Sequence, residues 1–463
     1  MVDSRVISHG ELRERLTKFV TGPVLGAGDP AYEESRRVFN AMIDRRPAAI
    51  LKCGCAEDVA HGVMAARDYD LPLSIKGGGH SVAGNAVCDG GLMLDMSSMK
   101  RIVVDPERDL AVTEAGLTLG EFDTATSRYG LATTLGVVSM TGIAGLTLGG
   151  GIGWLNGKYG LACDNVLSMD VVTADGQVRT ANASQHQDLF WALRGGGGNF
   201  GAVVSFTYRL HPVNLVLAGP ISYPPERAAE ALRLYHQVAS TAPDSLATAA
   251  SVARGADGQP AVSVVVCWSG PADEGERVLR PLREFGPPVD DAVGLIPYPE
   301  LQSMPDAGYP PGRLHYWKAS FLADLPGEAI DAMLRFAATA PSPHTGIGLQ
   351  QITGAASRIA PTATAFAHRA RLYDFLILSQ WDDHSDSPAN IRWTRELFDA
   401  MSPHFHGVYV NNLGEEGSNR VQDAYGINYD RLASVKATYD PDNLFRLNQN
   451  IQPAGARAHD GLP

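Results

Sequence analysis

Apolar and polar positions recur along this chain in two periods, and the change between them marks out the elements. Residues 48–53 are a short buried strand, 56–69 carry apolar residues at helical spacing, and 71–76 are a second strand, a β-α-β-like opening. Residues 91–95, 101–104 and 110–114 read as further strands and 119–129 as a helix. Residues 168–173 and 177–180 flank the turn Ala174-Asp175-Gly176, a hairpin, and 202–210 alternate as a strand should, ending at His211-Pro212. From Val213 the texture changes. Amphipathic helices are predicted over 225–240, 274–285, 328–338 and 389–401, and strands over 261–268, 347–352 and 372–381, with proline-rich loops over 297–311 followed by another strand. From Gly407 the chain is again irregular and rich in Asn and Gly.

This alternation of long strands and helices predicts an α+β fold, an antiparallel sheet with helices on one face. The sheet is inserted in a split first domain. The expected division is 1–212 for the first part, 213–406 for the insert and 407–463 for the returning segment.

Composition narrows the function. With 463 residues, 44% apolar and 19% charged, the chain has ample material for a core, and its 49 glycines imply backbone packed closely against itself or a ligand. A formal charge of −13 with no basic block excludes a nucleic-acid partner. Residues 1–15 are charged and lack an apolar signal core, so export is not indicated. The uncharged stretch 129–157 is long enough to span a bilayer, but its nine glycines with Thr, Ser and Asn predict a buried loop system instead, so no membrane partner is expected. Five cysteines without paired spacing favour a reducing, cytoplasmic setting.

The strongest local motif is Lys76-Gly77-Gly78-Gly79-His80-Ser81, directly after a strand. Such a nest of unshielded N–H groups suits a pyrophosphate, and a plain glycine turn with an incidental His fits the pattern too. No second ligand stands near His80 at metal-binding spacing, so no metal is expected. Thr141 to Trp154 forms a second glycine system. The formal G-x-G-x-x-G at Gly196, Gly198 and Gly201 follows a helix and precedes a strand, the reverse of the nicotinamide-binding order. Two glycine systems, each against a strand, favour a large nucleotide cofactor. His211 reads as a strand-end residue and His368-Arg369 as a hydrogen-bonded pair at a turn. Asp374 lies inside the apolar run 372–378, where it faces water, a partner or a substrate; solvent exposure is the common explanation.

Three stretches carry a family resemblance. Residues 72–84 around His80 resemble the flavin loop of the vanillyl-alcohol-oxidase superfamily, the PCMH-type flavoproteins. Gly150-Gly-Ile-Gly-Trp-Leu-Asn-Gly-Lys-Tyr-Gly160 with Cys163-Asp164-Asn165, and Tyr439-Asp-Pro-Asp-Asn-Leu-Phe through Ile451, are similar to the berberine-bridge-enzyme-like branch. The resemblance implies a split PCMH-type FAD-binding domain and an inserted sheet that roofs the flavin. It implies FAD bound through one 8α-histidyl link at His80, with Gly77, Gly78, Gly79 and Ser81 cradling the pyrophosphate. Gly142, Gly145, Asp164 and Asn165 would form the second binding stretch, and Asn448 and Asn450 would approach the ring. Lys76, Gly84, Gly136, Val137, Val138, Thr141, Gly151, Trp154, Val204, Tyr409 and Asn411 complete the implied flavin contacts.

Two departures from the family matter. Many relatives add a cysteinyl link in a Gly-x-Cys stretch, but this chain reads Gly136-Val137-Val138, so no second link is expected. Many also carry a basic Tyr where this chain has Asn412, in Tyr409-Val-Asn411-Asn412, and an amide accepts no proton at neutral pH. Gln350 falls where some bacterial relatives carry a carboxylate and can orient a substrate; Asp374, near an active-site acidic position of plant relatives, is by that resemblance the best remaining base, and an amine or an already acidic phenol would need none. The implied activity is an FAD-linked oxidase that transfers hydride from a small organic substrate, a specialised metabolite, to flavin N5, with dioxygen reoxidising the flavin. The alternatives are a dehydrogenase with another acceptor and a flavin-binding protein without turnover.

Overall fold

The computed structural model describes residues 7–255 and 257–455; residues 1–6 of the charged N-terminal stretch and the last residues of the returning segment, 456–463, lie outside them. Within that span the chain is α+β, built on three main sheets. Val24–Leu25, Ala49–Lys52, Leu92–Asp95 and Leu73–Lys76 form a four-stranded sheet in that order. The opening strand, helix and strand are therefore parallel but not neighbours: Leu92–Asp95 lies between them and pairs with both. The second sheet is antiparallel, in the order Ile102–Asp105, Leu110–Glu114, Ala202–Arg209, Val166–Val172, Val178–Asn182. The expected hairpin is present, with Val172 opposite Val178.

The third sheet is antiparallel and has eight strands. Seven lie on one path: Asp290–Asp291, Leu215–Tyr223, Pro260–Trp268, Leu246–Arg254, Gly346–Ile352, Leu372–Trp381, Leu314–Leu322. The eighth, Gly294–Pro297, also pairs with Leu215–Tyr223. Strand side chains alternate between faces. Tyr373, Phe375 and Ile377 pack with Leu232, Met333 and Leu397 of the helices Ala228–Ser240, Gly327–Ala338 and Ser387–Met401, in one buried cluster. The alternate residues Asp374, Leu376 and Leu378 face a cavity on the other side.

Several elements depart from the sequence reading. The stretch 129–157 is buried but not only loop: it contains the helices Ile143–Leu148 and Asn156–Tyr159, too short to leave a 3.6-residue period among so many glycines. The proline-rich segment 297–311 holds the helix Tyr298–Ser303, which Pro297 and Pro299 open rather than break. Beyond Gly407 the described chain is irregular only in part. It forms the helices Ser418–Tyr425 and Tyr429–Tyr439, whose buried residues (Val421, Ala424, Tyr425, then Leu432, Val435, Lys436) follow helical spacing. The strands Leu215–Tyr223 and Leu246–Arg254 were not expected, the second because it is built on alanine. Among the described residues all five cysteines are free, and no helix is long and apolar enough to cross a membrane.

Candidate functional site

A cavity of about 500 Å³ lies between the glycine-rich sheets and the open face of the large sheet. Its floor comes from two crossing glycine loops. Leu73–Lys76 delivers Gly77, Gly78, Gly79, His80 and Ser81, and the second loop delivers Gly136, Val137, Val138, Thr141, Gly142 and Gly145, with Trp154 beyond it. The loops touch through backbone alone. A Cβ on Gly78 would sit 2.4 Å from the Gly142 nitrogen, and one on Gly142 would sit 2.4 Å from the Gly78 nitrogen. Only glycine at both positions allows this approach. Gly78→Ala is accordingly expected to cost about 1–3 kcal/mol of stability, the effect of overpacking two backbones, read as a lowered denaturant midpoint.

His80 stands at the end of the first loop. Its Nε2 is buried and has no partner, and burial draws its pKa down to about 4, so the ring is neutral at physiological pH. An uncharged imidazole with a free lone pair is a nucleophile, not a cation.

The opposite wall is the sheet. Asp374 lies opposite Gln350, and Gln350 opposite Ala249, in one row across three strands, and all three line the cavity. Asp374 is 5% exposed, so it is buried at the cavity and not on a solvated strand face. Its Oδ2 accepts from Asn412 Nδ2 at 2.7 Å, while its Oδ1 is buried without a partner. Burial pushes the carboxyl up to about 7, and the single bond from Asn412 offsets only part of that. Gln350 Nε2 is likewise buried and unpaired. Unpaired polar atoms on His80, Asp374 and Gln350 thus belong to residues of one cavity, as do those on Trp154, Trp317 and Asn448, and the remaining walls are largely apolar, Leu376 and Leu378 among them.

The returning segment closes the site. Tyr409 and Asn411 line the cavity, and the Tyr409 hydroxyl accepts from Gly151 N at 2.9 Å and Asn411 Nδ2 at 2.7 Å. Burial pushes the phenol pKa further up, so Tyr409 braces the glycine loop and is no base. Asn448 reaches the cavity too, its Nδ2 donating to Phe445 O at 2.9 Å and its Oδ1 unpaired.

Seven residues expected around the flavin do not line the cavity. Lys76 Nζ donates to Ser35 O and Arg37 O at 2.8 and 2.9 Å, which turns it outward from the loop. Gly84 packs on Ile43, and Gly151 on Ala162. Val204 belongs to the buried core, and its neighbour Val203 reaches the cavity instead. Asn450 carries an unpaired Oδ1 away from the cavity lining. Asp164 is held by Arg369 in a two-pronged ion pair, 2.7 Å on each arm, and Asn165 binds His211 Nε2 at 2.7 Å. Arg369 therefore does not pair with His368, whose Nε2 lies 2.9 Å from Asp423 O; the carboxylate of Asp164 outcompetes a neighbouring ring. His211 opens the two-residue strand His211–Pro212, just past the strand Ala202–Arg209, and is stacked on Tyr159.

Other lining residues were missed. Gly197, Gly198, Asn199 and Gly201 lie in the motif whose element order speaks against a nicotinamide site, and its glycines are the signal that points to them. Trp317, Tyr309, Asn85 and Met96 come from separate elements and carry no local pattern.

Residues 47–182 match a family model described as an FAD binding domain, and residues 408–452 one described as berberine and berberine like. The chain is 33% identical over 441 residues to an FAD-linked oxidoreductase of Bacillus subtilis (strain 168), covering 94% of this chain and 97% of the relative. It is 31% identical to (R)-6-hydroxynicotine oxidase of Paenarthrobacter nicotinovorans over 94% of this chain and 98% of the relative. The crystal structure of 6-hydroxy-D-nicotine oxidase from Arthrobacter nicotinovorans superposes with a TM-score of 0.86 at 29% identity, covering 94% of this chain and 98% of that one. A variant of berberine bridge enzyme in complex with (S)-reticuline shares the fold, with a TM-score of 0.85 at 22% identity over 96% and 99% of the two chains.

Proposed function

Since the chain belongs to the berberine-bridge-enzyme-like FAD-linked oxidoreductases, we propose that it holds FAD through one bond from His80 to the flavin 8α carbon and oxidises a small, largely apolar organic molecule, with dioxygen as the final acceptor. The cofactor fits the residues present: the crossed glycine loops bring backbone without side chains to the cavity, which a pyrophosphate can approach, and the His80 Nε2 is unpaired. Gly77 to Ser81, Thr141, Gly142 and Asn448 would hold it. Val138 offers no sulfur, so the histidyl bond is the single link. When bound, FAD supplies the ring that accepts a hydride.

The chain's own residues do the rest. Asp374 Oδ1 takes the substrate proton, Asn412 fixes the other carboxylate oxygen, and Gln350 orients the substrate from the adjacent strand. Among the described residues no Lys or Arg lines the cavity, which disfavours anionic substrates. Tyr309, Trp317, Leu376 and Leu378 favour a flat apolar body with one polar group, an amine or a hydroxyl, placed between Asp374 and Gln350. The presence of unpaired polar atoms on His80, Asp374 and Gln350 in one cavity carries the proposal.

Acid precipitation tests the link. The pellet is expected to stay yellow for the wild-type protein and to lose its colour in His80→Ala, whereas colour released from the wild type would refute the histidyl bond. Comparing reoxidation by air with that by an artificial acceptor separates an oxidase from a dehydrogenase.

A further inference from the structure

Phe39 and Asn40 lie outside both glycine loops, on a connecting stretch with no regular structure, yet both are buried and both contact the His80 loop. The Phe39 ring is stacked between two imidazoles, 3.9 Å from His80 with a 14° tilt and 4.3 Å from His315 with a 24° tilt. Its backbone nitrogen donates to Gly79 O at 3.0 Å. Asn40 Nδ2 donates to Val82 O at 2.8 Å and to His315 O at 3.0 Å, and its Oδ1 accepts from His315 N at 3.0 Å. One dipeptide thus binds the chain on both sides of His80, at Gly79 and Val82, and fastens it to the strand Leu314–Leu322 of the large sheet.

We infer that Phe39 and Asn40 are positioning residues for His80: the stacked ring fixes the plane of the imidazole, and the amide fixes the loop that carries it. The inference rests on the proposed histidyl link. Forming that link joins an imidazole nitrogen to the 8α carbon. The two displaced hydrogens pass with two electrons to the ring system, and dioxygen removes them as hydrogen peroxide. The attacking lone pair lies in the imidazole plane, so a ring free to rotate is misaligned for most of the time. Nε2 has no hydrogen-bond partner of its own, so the stack and the bond between the ring and its own backbone together set its direction. His315, with both ring nitrogens unpaired, backs the stack as a flat surface.

The test follows acid-stable flavin over time in full-length protein purified with excess FAD. Phe39→Leu, which keeps an apolar side chain but loses the stack, is expected to slow attachment by roughly three- to tenfold, the factor one aromatic pair is worth. Dialysable FAD affinity is expected to stay unchanged. Phe39→Tyr is expected to restore the wild-type rate, and Asn40→Asp, which turns a donor toward two carbonyls into an acceptor, to slow it. Attachment by Phe39→Leu at the wild-type rate would overturn the inference, as would a matching loss of FAD affinity, since that marks a merely structural role. Release of flavin from the wild type itself would overturn the histidyl link, and the positioning role with it.

Discussion

Replacing Asp374 with asparagine is expected to slow flavin reduction by a good substrate roughly 100- to 10,000-fold, the range a positioned general base supplies. The substitution leaves the cavity its shape, and the Asn412 amide keeps a carbonyl oxygen to donate to, so bound FAD is expected to remain at wild-type levels. The pH dependence has a definite sign. Burial raises the carboxyl from the ordinary 3.8 to about 7, and only the ionised form accepts a proton. The wild-type rate of reduction therefore rises with pH through the neighbourhood of 7 and levels off above it, while Asp374→Asn shows no such limb.

Stability moves the other way. Because the folded chain holds this proton more tightly than the unfolded chain, the carboxyl costs stability increasingly as pH rises from about 4 to about 7. Asp374→Asn is then more stable than the wild type at pH 8 and indistinguishable from it below pH 4. Anaerobic stopped-flow reduction and thermal melts across that range measure both. A variant that is slower and less stable at pH 8 would mark Asp374 as structural rather than catalytic.

How much of this was legible beforehand depends on whether a residue's role is local. The glycines at 77–79 and the His after them announce themselves, because a backbone-lined cradle needs them in one continuous run. The alternation over Leu372–Trp381 placed Asp374 on one face of a strand but not which face was solvated, because that depends on a sheet and a second sheet system closing over it. Asn412 could be read as a missing tyrosine; its bond to Asp374 joins positions 38 residues apart and has no sequence signature. Phe39 was invisible for the same reason. It is one aromatic in a loop, and its meaning comes from His80 and His315, far away in the chain. The helices after Gly407 are a different failure: their apolar residues have the right period, but short polar helices among Asn and Gly read as loop.

Arg369→Met is expected to cost about 3–5 kcal/mol, the loss that follows when one member of a buried ion pair is removed. The guanidinium side chain is 1% exposed and that of Asp164 is 6% exposed. Besides the two arms to Asp164, it donates to Thr364 Oγ1 at 2.6 Å and Phe366 O at 3.2 Å, so the Asp164 charge is neutralised by a residue that also pins the connection into the strand Leu372–Trp381. Without Arg369, Asp164 is a buried carboxylate with its counter-ion gone. The same pair decides what Asp164 does. If it acts as a structural anchor between the glycine-rich stretch and the inserted sheet, then Asp164→Leu combined with Arg369→Met removes both charges together and recovers most of the lost stability, with FAD still bound. If it instead contacts the flavin, the double variant stays depleted of FAD whatever its stability. Denaturant midpoints and flavin content of the two single variants and the double variant separate these outcomes, and the pairing of Asp164 with Arg369, outside the cavity lining, favours the first.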